Sequence, residues 1–109
     1  MHAIVELMEE TQLPEEELNS ILRQGALLRL PYLEGRLQSA KVEVERFEKK
    51  YHTTLEQLRQ QGLPNDAGYE IHEDFIEWEY WSDVMARLQQ TIAQIRLILN
   101  ATLGKPVSL

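Results

Sequence analysis

Cysteine is absent from the chain. That removes disulfide frameworks, thiolate zinc sites and cysteine nucleophiles, and nothing points to secretion. Long apolar runs are absent too: no stretch approaches the roughly 20 residues that span a bilayer. The opening MHAIVELMEE has early acids, no basic segment and too short an apolar stretch for a signal peptide. The expectation is a soluble cytoplasmic protein with no membrane contact. There is no Gly-rich phosphate loop and no nucleophile elbow, and the few serines have no evident His and Asp partners. Internal repeats and low-complexity tracts are missing. From Gln60 to Ala86 there is also no Lys or Arg.

That same span holds seven acids: Asp66, Glu70, Glu73, Asp74, Glu77, Glu79 and Asp83. The formal net charge is -7, so outside the block eleven acids balance eleven basic residues. The block repels nucleic acid and membrane headgroups and favours a basic partner. A hydrophobic content of 43% is too high for a disordered chain, and 109 residues make a single domain with a modest core.

Apolar spacing predicts helices throughout. Pro14 followed by Glu15, Glu16 and Glu17 reads as a first helical turn, with Leu18, Ile21 and Leu22 on one face and Gly25 as a plausible end. Residues 26 to 30 fit either a continuation or a tight connection. Pro31 reads as the start of a second helix, in which Leu33, Leu37, Ala40, Val44, Phe47 and Tyr51 step by four and three. A narrow apolar seam with charged flanks belongs to helix-on-helix packing. TTLEQLRQQG reads as a short helix with a capping box from Thr53 to Glu56 and a stop at Gly62. After the turn residues LPNDAG, a long helix from Tyr69 to Asn100 carries a second heptad seam: Trp81, Met85, Leu88, Ile92, Ile95 and Leu99. Phe75 and Trp78 extend it. Ile76, Tyr80 and Val84 form a second stripe beside the seam, more apolar surface than one partner helix covers, and predict self-association. Residues 101–109 read as a frayed tail. The fold expected is all-α: a long antiparallel, coiled-coil-like helical hairpin with one or two short helices, in a dimeric bundle.

YEIHEDFIEWEYW, residues 69 to 81, packs five of the eight aromatics and five acids together. On a helix, Glu70, Glu73, Asp74 and Glu77 share a face that turns to solvent, while Phe75, Trp78 and Trp81 turn to the core. Aromatic anchors with an acidic rim suit a basic protein partner, which makes Glu70, Glu73, Asp74, Glu77, Trp78, Tyr80 and Trp81 the candidate binding residues. The plainer alternative is a set of core rings beside a solvated acidic face. Carboxylates on one face can also hold a divalent cation. Glu6, Glu9 and Glu10 with Glu70, Glu73 and Asp74 give the two acidic clusters of an all-α, magnesium-dependent nucleotide pyrophosphohydrolase, without a basic residue beside the second cluster for phosphate. His72 fits neither the HExxH nor the Glu-x-x-His spacing, since Ile76 and Tyr69 stand where those motifs need His and Glu. No metal, cofactor or catalytic residue is assigned.

RFEKKYHTTLEQL, then a Gly, then HEDFIEWEYW resembles a group of small bacterial and archaeal α-helical proteins. The matching positions are Phe47, Glu48, Lys50, Tyr51, Leu58, Gly62, Asp74, Glu77 and Trp78, within residues 46 to 81. That group often has Gly or a small residue after the Tyr, where this chain has His52. Its members are commonly found beside a small toxin-like gene and are regarded as antitoxin-like partners. The resemblance implies a binding role and assigns no catalysis. The expected function is a non-enzymatic interaction module that inhibits a basic, toxin-like protein. The alternatives are the magnesium-dependent hydrolase and a purely structural coiled-coil subunit. DNA binding has no basic patch to support it.

Overall fold

In the computed structural model the described residues are 6, 9–64 and 66–102. Three helices organise them: α1, Glu15–Tyr51; α2, Leu55–Gln61; and α3, Tyr69–Thr102. No strand occurs among the described residues. Helices α1 and α3 are the arms of a long antiparallel hairpin. The all-α expectation holds. Two helix boundaries do not: α1 neither stops at Gly25 nor restarts at Pro31, but runs through both. The heptad is the reason. Ala26, Leu33, Ala40 and Phe47 lie seven residues apart and all are buried, so the heptad spacing of buried positions along α1 continues past the proline. Pro31 still leaves the Leu27 carbonyl without its usual helical donor, on a stretch whose side chains are exposed. At the far end, α3 includes Ala101 and Thr102, and the rest of the expected tail, 103–109, lies outside the described residues.

Leu33–Thr91 form one compact unit. Its core is Val44 and Phe47 of α1, Leu55 of α2 and Trp78 of α3, with Tyr51, Leu58, Phe75, Trp81 and Met85 packed around them. Trp78 and Phe47 are fully buried. The indole stacks on Phe47 at 5.7 Å and on Tyr51 at 5.9 Å between ring centroids, with interplanar angles of 18° and 16°. Phe47 and Tyr51 are four apart on α1 and so present adjacent rings to it. Helix α1 ends at His52, whose φ of 55° is left-handed, a conformation that favours Gly. That turn places Thr54, rather than Thr53, at the cap of α2. The Thr54 hydroxyl accepts from the Gln57 amide, and the Gln57 side chain returns to the Thr54 amide. The capping box expected at Thr53 and Glu56 is therefore one residue later, in the register that buries Leu55. Gly62, at φ 78°, closes α2 by donating its amide to the Leu58 carbonyl.

The other compact unit comprises residues 1–32 and 92–109. Ala26 and Ile92 are buried there. Ile21, Leu22, Leu27, Leu28, Leu97 and Ile98 are exposed, so among the described residues of this unit most large apolar side chains stand in water.

The indole N–H of Trp78 is buried and finds no acceptor among the described residues. An unpaired buried donor costs about 1–3 kcal/mol, which ring burial and stacking must offset. Trp78→Ala is expected to destabilise the protein by about 3–5 kcal/mol. Trp78→Phe removes the orphan donor, keeps a ring, and is expected to cost clearly less. Urea unfolding followed by far-ultraviolet circular dichroism measures both.

Candidate functional site

The acids of α3 fall into two sets. Glu70 and Asp74 are one turn apart and converge on Lys50 of α1, whose ammonium donates to Glu70 at 2.7 Å and to Asp74 at 2.6 Å. Asp74 also accepts from the Tyr51 hydroxyl at 2.6 Å. Its side chain is only 16% exposed, so the expected solvent-facing row loses Asp74. The residue turns inward because Tyr51, fixed by its stack on Trp78, carries a hydroxyl that needs an acceptor at the core edge. Four residues back along α1, Arg46 reaches Glu77 at 3.5 Å and Glu43 at 3.1 Å. The same two cations cover the core rings: Arg46 lies 4.3 Å from the Phe47 centroid and Lys50 lies 5.4 Å from that of Tyr51. Arg59 of α2 meets Glu79 at 3.4 Å, and Arg87 meets Asp83 at 2.6 Å. Five of the seven acids in the block thus have a cation within the chain.

The second set faces outward. Glu73 is exposed and makes no ion pair among the described residues. It shares a stripe of α3 with Tyr69, Ile76 and Tyr80, which are 80%, 62% and 58% exposed. Trp81 is half-buried and supports Tyr80 edge-on at 5.1 Å between centroids. Beyond Tyr80 the stripe opens into a groove lined by Arg36, Asp83, Val84, Arg87 and Thr91. Of the candidate binding residues, Glu73, Glu77 and Tyr80 are therefore at the surface, and Glu70 is there too but tied to Lys50. Trp78 is fully buried, and Phe75 with Trp81 is half-buried. Ile76 and Tyr80 of the expected self-association stripe are exposed, while Val84 is half-buried. Sequence reasoning missed Tyr69. The available signal was its place one heptad before Ile76.

Among the described residues no group of three or more His, Asp or Glu side chains converges as a cation site. Glu70 and Asp74, the acids closest to such an arrangement, already enclose an ammonium. Glu6, Glu9 and Glu10 are exposed. No helix among the described residues is long and apolar enough to cross a membrane. Comparison with protein-family models, curated proteins and solved structures finds no match.

The inner set is electrostatically tuned. Hydrogen bonds from Lys50 and then Tyr51 hold the Asp74 carboxyl below the usual carboxylate range. Burial, then the bond to Asp74, pushes the Tyr51 phenol up. Hydrogen bonds to Asp74 and Glu70 push the Lys50 ammonium up. A depressed carboxylate stabilises the fold above its unfolded pKa of about 3.9, and that stabilisation disappears as pH falls through the lower folded value. The raised Tyr51 and Lys50 stabilise below about 10 and lose this as pH rises further. Asp74→Asn is expected to lower Tm at pH 7 by about 5 °C, the order of one charge-assisted hydrogen bond in a small domain. The gap to wild type should close as pH falls below about 4, as thermal melts across pH would show.

Proposed function

We propose that the chain is a non-enzymatic protein–protein interaction module, an antitoxin-like inhibitor that docks a basic protein on the outward face of α3. One observation carries this reading: Tyr69, Ile76 and Tyr80 stand in water on one stripe of a long helix, with acids beside them. Large rings and aliphatics of this kind anchor interfaces, and they lose little entropy when already held on a helix. Glu73 and Glu77 form the rim and steer a positively charged partner. Glu70, Asp74 and Trp78 contribute indirectly, by fixing the helix that presents the anchors. A cytoplasmic location and a toxin-like partner accord with the resemblance carried by Phe47, Glu48, Lys50, Tyr51 and Trp78. The stripe of Ile76, Tyr80 and Val84, read from the sequence as a self-association surface, is assigned here to the basic partner.

The partner to assay is the protein encoded beside this gene. Tyr80→Ala is expected to weaken that complex by about tenfold or more, as hot-spot rings do, with little change in Tm. Glu73→Gln with Glu77→Gln is expected to slow association at low salt and to have little effect at high salt, where exposed charges are screened. Stopped-flow association at both salt concentrations measures this. Unchanged rates and affinities for all variants would overturn the proposal.

A further inference from the structure

A second exposed apolar surface lies at the other compact unit. A groove there is lined by Ile21, Leu22, Gly25 and Arg29 of α1 with Ile95 and Ile98 of α3. Ile21 is 52% exposed, and Leu28, one heptad further along α1, is 80% exposed. Gly25 sits in the middle of a helix, where Gly is unfavourable. A Cβ built on it would meet nothing within 4 Å, so the lone chain has no packing need for its absence. Close approach of another backbone is what a glycine at such a place permits.

The charges on this helix face indicate which backbone. Glu15 lies one heptad before Leu22 and Arg29 one heptad after it, about 10 Å away in either direction and on the same stripe. Arg29 is held over the Tyr32 ring at 4.9 Å. Glu15 is exposed and makes no ion pair among the described residues. Such a face complements itself when turned end for end. In a parallel pair, Glu15 would oppose Glu15 and Arg29 would oppose Arg29. In an antiparallel pair, each Glu15 meets the other copy's Arg29, twice by symmetry.

We propose that a second copy of this chain docks on this groove, the two α1 helices antiparallel and crossing at Leu22. The contact buries Ile21, Leu22 and Ile98 of both copies, lets the helices approach at Gly25, and pairs Glu15 with Arg29 at both ends.

Sedimentation velocity across concentration tests the arrangement. The wild-type chain should sediment at twice 12.8 kDa. Glu15→Arg and Arg29→Glu should each weaken the dimer by about tenfold, since each replaces two attractions with two repulsions, and the double variant should recover most of the loss. Circular dichroism should show unchanged helix content in all three, because both positions are exposed. The chain has no cysteine of its own, so Leu22→Cys should form a disulfide-linked dimer under mild oxidation, whereas Gln60→Cys should not. A wild-type monomer at every concentration would overturn the proposal. So would a double variant as weak as the singles, or a Leu22→Cys chain that does not cross-link.

Discussion

The stack of Trp78 on Phe47 and Tyr51 is the contact on which the unit Leu33–Thr91 depends. It joins the last two turns of α1 to the third turn of α3, and it fixes where Tyr51 can send its hydroxyl. Asp74 is one turn before Trp78 and receives that hydroxyl. Lys50, next to Tyr51, then binds Asp74 and Glu70, and Arg46, next to Phe47, binds Glu77. Stepping forward along α1 from Arg46 to Lys50 corresponds to stepping back along α3 from Glu77 to Asp74, as antiparallel arms require. Rings supply the burial, and the charges around them set the register.

This arrangement explains why so many acids and rings share thirteen residues. The absence of Lys and Arg from that stretch suggests unbalanced charge, yet the cations are present elsewhere: Arg46 and Lys50 on α1 and Arg59 on α2. The acidic stretch is thus partly the other half of a pairing whose basic half lies twenty or more residues earlier. What remains for recognition is smaller: Glu73, part of Glu77, and the exposed Tyr69, Ile76 and Tyr80.

Much of the hairpin was legible in the sequence, because heptad spacing reports burial directly. Leu33, Ala40, Val44 and Phe47 on α1, and Trp78, Leu88 and Ile92 on α3, are buried as their spacing required. The ends of elements were less legible. Gly25 and Pro31 are helix breakers by local preference, but α1 runs through both, with buried positions at heptad spacing on either side. Thr53 and Thr54 offer two overlapping capping boxes, and only the left-handed turn at His52, a tertiary feature, selects between them. Within the candidate site, the face of Tyr80 followed from helical period. The inward turn of Asp74 did not, because it depends on a hydroxyl twenty-three residues away.

The central claim is that Asp74 belongs to the fold, through Tyr51, and not to the recognition surface. A double-mutant cycle tests it directly: Tyr51→Phe, Asp74→Asn and the pair, each unfolded in urea at pH 7. The account predicts a favourable coupling of about 1 kcal/mol or more between the two side chains, as for a partly buried hydrogen bond to a charged group. Additive effects, with coupling near zero, would mean that the two groups stabilise the protein independently and that Asp74 is one more surface acid.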